Sequence, residues 1–157
     1  MRLQRLILAA LAAQALCCHP ASAQGTPDPA EVTEARISLD AAAEEAIGKF
    51  WPILSGELRT DGIDLASARR ASRWAISSFS LGWCARFATF ELIEDVDQAL
   101  DRALPVASSW AVGRVREEGT RLRREGAEMA VPGETPTQQA AFCAVELEAV
   151  RQVIAAL

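Results

Sequence analysis

Apolar residues along this chain recur at threes and fours rather than at twos, which predicts helices and no strand of useful length. The first such pattern runs from about Val32 to Leu58. Ile37, Ala41, Ile47, Trp51 and Leu54 share a stripe with Glu44, and Pro52 is expected to kink or divide the helix. Thr60-Asp61-Gly62 has turn chemistry, and Asp64 offers a carboxylate to cap the next helix.

The second pattern is the most aromatic part of the chain and spans Arg73 to Leu104. Ile76, Phe79, Trp83, Phe90, Ile93, Leu100 and Leu104 keep a period of about 3.5 residues, with Arg86 and Asp97 interrupting, until Pro105 ends the run. Ser77, Ser78, Ser80 and Gly82 weaken its middle, so the pattern allows one long rod or two helices broken near Gly82. Ser108 or Ser109 then caps a helix reaching about Val131, with Val112, Val115, Gly119, Leu122, Gly126 and Met129 on its stripe. A glycine inside a helix costs about 1 kcal/mol against alanine, a cost that makes sense where another helix must come close.

Pro132-Gly133 is a stop signal. Thr135, Pro136 and Gln138 then supply an N-cap, a first helical residue and a capping-box partner for the last helix. Its stripe is Cys143, Leu147, Val150, Ile154 and Leu157. The fold expected from these patterns is all-α: a small antiparallel helical bundle of about four helices, residues 32–157, preceded by a flexible linker over 24–31.

Residues 1–23 have the layout of a cleavable signal peptide. Arg2 and Arg5 precede an apolar run from Leu6 to Cys18, and Ala21 and Ala23 occupy the small-residue positions of a cleavage site. The run is too short for a permanent membrane anchor, which needs about 20 residues. Cys17 and Cys18 raise the alternative of lipid attachment, but Leu16 or Cys17 stands where a small residue is wanted. Lys49 is the only lysine beside 15 arginines, and Asn and Tyr are absent, a usage expected of a GC-rich bacterium. Together these features predict export to a Gram-negative periplasm.

Removing 23 residues from 157 leaves 134, enough for one domain. Arg2 and Arg5 leave with the signal, so 14 basic residues face 21 acidic ones and the net charge moves from −5 to −7. Such a surface repels phosphate backbones, and nucleic acid is excluded as an expected partner.

Cys84 and Cys143 are the two cysteines outside the signal. An even pair in an oxidising compartment is expected to form a disulfide, here stapling the middle of the aromatic stretch to the last helix. A redox-active pair would need different spacing, since Cys-x-x-Cys is absent.

The inventory of reactive groups is short. His19, inside the signal, is the only histidine, which removes triads and imidazole metal ligands from the remainder. No phosphate-cradling glycine loop or calcium loop is present, so neither a cofactor nor a metal is expected. Glu91, Glu94 and Asp95 lie at i, i+3 and i+4; they form an acidic face or, less simply, the acid and base of a glycan hydrolase. Arg114, Arg121 and Arg124 interleave with Glu117, Glu118, Glu125 and Glu128, and the i, i+4 pairs Arg114/Glu118, Glu117/Arg121, Arg121/Glu125 and Arg124/Glu128 predict a salt-bridged surface or, with Glu91, Glu94 and Asp95, a protein-interaction surface. Trp51, Trp74, Trp83 and Trp110 are core anchors or, alternatively, the lining of an apolar pocket. The expectation is therefore a non-enzymatic exported interaction or accessory protein, chaperone- or inhibitor-like, whose partner is another envelope protein. A binder of a small apolar ligand or lipid is the first alternative.

Overall fold

A computed structural model describes residues 26–58, 65–105, 107 and 109–157, with the backbone alone over 49–58. The signal-peptide segment 1–23, the cap at Asp64 and the Ser108 alternative lie outside the described residues, as do the side chains of Trp51 and Leu54. Five helices are described: α1 (Pro29–Leu58), α2 (Leu65–Trp83), α3 (Phe90–Ala103), α4 (Ser109–Ala127) and α5 (Pro136–Ala155). The all-α bundle and its disulfide stand as expected; Cys84 and Cys143 are bonded, with Cα atoms 5.4 Å apart.

The aromatic stretch is two helices rather than one rod. The backbone N–H groups of Phe87 and Ala88 both turn back onto the Cys84 carbonyl. Thr89 then caps α3 by accepting from the Leu92 N–H at 3.3 Å. Its hydroxyl and extended backbone end the continuity that the heptad stripe had suggested.

α2 stands at the centre, and each of the other four helices packs against it. The Asp40–Arg73 ion pair at 2.8 Å and the Glu44–Arg69 pair at 3.3 Å run in opposite chain order, so α1 is antiparallel to α2. Trp74 lies against Gly119 and Gly82 against Arg123, so α4 runs parallel to it. Cys84–Cys143 and Ser80–Glu146 set α5 antiparallel.

A helix with neighbours on every side usually reads as apolar all round. α2 instead alternates long and small side chains: Trp74, Ile76, Phe79, Leu81 and Trp83 are buried beside Ala68, Ala71, Ser72, Ala75, Ser77, Ser78, Ser80 and Gly82. Small side chains let four helices close on one axis. Gly82 and Gly126 mark the closest approach, because an added Cβ would sit 1.9 Å from the Arg123 carbonyl oxygen or 2.2 Å from that of Phe79. The glycines of the α4 stripe thus serve the close approach expected of them.

The stripe expected on α1 is set to the wrong face. Val32, Ala35, Leu39, Ala43 and Ala46 are buried, whereas Ile37 is 60% exposed and Ala41 and Glu44 are exposed too. The Ala-rich face wins because it lets α1 lie close on the alanines of α2, with Asp40 and Glu44 left at the margin to meet arginines. The helix continues through Pro52, forgoing the one backbone hydrogen bond that proline cannot donate.

α5 begins as its sequence predicts. The Thr135 hydroxyl accepts from the Gln138 N–H at 3.2 Å, and the Gln138 side chain accepts from the Thr135 N–H at 3.0 Å. The chain reaches this cap through Gly133, whose φ of +117° suits glycine. Two arginines finish other helices, with Arg70 donating to the Ala103 carbonyl at 3.0 Å and Arg102 to that of Ile154 at 3.2 Å. Last-turn carbonyls lack the i+4 donor that interior carbonyls have, and a side chain from a neighbouring helix can supply one.

Candidate functional site

Four of the residues that line the candidate site lie on one stripe of α3. Phe90, Glu94, Asp97 and Asp101 follow one another at i, i+4, i+7 and i+11 and therefore share a stripe. Along this stripe α3 and α4 leave an open groove of about 350 Å³, lined by Phe90, Ile93, Glu94, Asp97, Gln98, Asp101 and Arg116. Phe90 stands at its upper end with 74% of its surface exposed. The heptad stripe had placed this ring in the core. It falls outside because the helix restarts at Thr89, and the buried face of α3 becomes Leu92, Val96, Ala99, Leu100 and Ala103.

Charge is unevenly compensated along the groove. Arg123 reaches across from α4 to Asp97 at 2.6 Å, and Arg116 to Asp101 at 3.5 Å. Glu91, Glu94 and Asp95 form no ion pair with any described residue. The end of the groove beside Phe90 is thus the negative end. Glu91 also has a local duty, since hydrogen bonds from its own backbone N–H and the Thr89 side chain hold its carboxyl below the usual carboxylate range. That environment favours the ionised form, the opposite of what a general acid needs.

The arginine helix pairs differently from the i, i+4 expectation. Arg114 meets Glu117 at 2.8 Å, and Arg121 is held between Glu118 and Glu125. Only Arg121/Glu125 keeps the expected spacing; i, i+3 partners are equally within reach on a helix surface. Arg124 is exposed and forms no ion pair with a described residue. Arg69, Arg70 and Arg73 are all engaged with α1 or α3.

The tryptophans are used separately. Trp74 is buried, donates to the Val96 carbonyl at 2.6 Å and covers Gly119. Trp83, nine positions further along α2, donates to the Ala130 carbonyl at 3.0 Å and meets Phe142 edge-on at 4.9 Å. Trp110 is 47% exposed near the start of α4. The side chain of Trp51 lies outside the described residues.

One residue was passed over in the sequence. Glu146 is 1% exposed and lies between α5 and α2, one turn from the disulfide. The Ser80 hydroxyl is its hydrogen-bond partner, and its second oxygen, Oε2, has none among the described residues. Burial pushes this carboxyl up to about 7, with the Ser80 bond opposing. A signal was present: position 146 falls within the arc between Val150 and Val153, two residues that are themselves buried.

Among the described residues no group of three His, Cys, Asp or Glu side chains is placed to hold a metal, and no helix is long and apolar enough to cross a membrane. No family model, curated protein or solved structure matches this chain.

Proposed function

We propose that this chain is an exported, non-enzymatic binding protein of the periplasm that docks a basic, aromatic- or aliphatic-bearing segment of another envelope protein in the α3–α4 groove. The observation that carries the reading is Phe90, a fully presented aromatic ring at the uncompensated acidic end of an open groove. Large aromatic side chains are costly to leave in water and are enriched among the few residues that dominate interfaces. The neighbouring Glu91, Glu94 and Asp95 would attract cations and speed encounter without themselves supplying most of the affinity. Export is supported by the layout of residues 1–23 and by the Cys84–Cys143 bond, which persists in oxidising compartments.

The test is capture from periplasmic extract on the oxidised chain, with Phe90→Ala and Glu94→Lys compared against Trp110→Ala. One protein held by the wild type and by Trp110→Ala, but lost at least tenfold with Phe90→Ala and weakened with Glu94→Lys, is the expected result. Equal retention by Phe90→Ala and the wild type would remove the groove from consideration.

A further inference from the structure

The contact between α5 and α2 contains a carboxyl group that the groove does not use. Ser77 and Ser80 on α2 and Cys84 just past its end follow at i, i+3 and i+7, and Ser80 and Cys84 meet Glu146 and Cys143 of α5. Ser77 is fully buried and its hydroxyl finds no partner among the described residues. Glu146 therefore has one hydroxyl donor where an ionised carboxylate can accept about four hydrogen bonds. On α5 the nearby Leu147, Val150 and Val153 are buried too, and α1, which packs against α5, has an Ala-rich buried face.

Among the described residues no charge is paired with Glu146. On α1 the charged residues Glu31, Glu34, Arg36, Glu44 and Glu45 are exposed, and half-buried Asp40 is paired with Arg73. On α2 the arginines are Arg69 and Arg73, both turned to α1, and Arg70, turned to α3. On α3, Glu91, Glu94, Asp95, Asp101 and Arg102 are exposed and Asp97 is paired with Arg123. On α5 itself Glu148 is paired with Arg151 at 3.1 Å.

We propose that α5 is a proton-latched flap: protonated Glu146 keeps the segment from Glu146 to the end of the helix on α1 and α2, and loss of the proton lets it lift while Cys84–Cys143 tethers its base. Lifting gives the carboxylate water and uncovers the apolar side chains of Leu147, Val150, Val153 and Ile154. The sign follows from the two environments. In water the carboxyl titrates near 4.5, and in the closed bundle near 7. Closure is therefore fully favoured below pH 4.5, weakens as pH rises through 7, and changes little beyond.

Hydrogen exchange of the full oxidised chain at pH 5 and pH 8, corrected for intrinsic amide chemistry, tests this directly. The opening constant of the α5 amides should rise roughly 70-fold between the two pH values, while α4 amides lag well behind and Glu146→Gln shows no such rise. Parallel rises in α4 and α5, or an α5 rise that survives in Glu146→Gln, would overturn the flap. If Glu146→Gln does not fold, carbon-13 titration of the wild-type glutamate carboxyls decides instead. A Glu146 midpoint near 7 supports the latch, and a midpoint below 5.5 overturns it.

Discussion

The two seams that α2 makes with α4 and α5 are built on opposite terms. Against α4 backbone meets backbone at Gly82 and Gly126, and the Trp74 ring lies on Gly119. Against α5 the separation is set by a disulfide, and the space beside it holds Ser77, Ser80 and Glu146. The first seam gains from dispersion and close packing, which depend steeply on distance. The second keeps polar groups half-satisfied in a low-dielectric interior and depends on a covalent bond one turn away. One central helix thus carries a rigid face and a conditional one.

The disulfide is the largest single lever on the conditional face. Its partners are 59 residues apart, and opening a loop of that length should cost about 4 kcal/mol in the chain-entropy treatment. Cys84→Ala with Cys143→Ala is expected to lower the urea midpoint strongly, read by tryptophan fluorescence. A loss below about 1 kcal/mol would mean that the α2–α5 packing stands without its staple.

The rigid face is broken by one methyl group. Gly82→Ala gains up to about 1 kcal/mol of helix propensity, but its Cβ meets backbone at 1.9 Å and α4 must move. Overpacking of this kind costs about 1–3 kcal/mol or more, so a net loss near 2 kcal/mol is expected in denaturant melts. Gly113→Ala on the same helix as Gly126 is the control, because nothing lies within 4 Å of its added Cβ. It should stabilise. If the two substitutions shift stability in the same direction, the close approach of α2 and α4 is not what those glycines provide.

How far the sequence foretold this architecture depended on whether the signal was local. The Thr135/Gln138 box, the Pro132-Gly133 stop and the glycine stripe of α4 are short-range devices, and each was legible. The cysteine pair was legible by count. The phase of α1 was not, because Ile37 outweighs alanine in any hydropathy reading, while the packing geometry of α2 favours Ala35, Ala43 and Ala46. On α2 the core places of Ile76, Phe79 and Trp83 were legible from their stripe, whereas the burial of Ser72, Ser77 and Ser78 between them was not. Phe90 looked like a heptad position until Thr89 restarted the helix. Glu146 was overlooked because a glutamate is expected outside, and its cost appears only when α2 and α5 are brought together.

The smallest effect probes the serine beside that glutamate. Ser77 is buried without a partner among the described residues, so its hydroxyl lost its solvation on folding and regained little. Alanine fills almost the same volume and has the better helix propensity, by about half a kcal/mol. Ser77→Ala should therefore stabilise the bundle by roughly 0.5–1 kcal/mol, a rise of a few degrees in midpoint for a domain of this size. Ser80→Ala should go the other way at pH 8, because it strips an ionised Glu146 of the donor that offsets its burial. At pH 5, where the carboxyl keeps its proton, that loss should shrink. Opposite signs for two serines one turn apart would show that the conditional face is organised by Glu146; equal signs would reduce it to a run of small side chains like those facing α4.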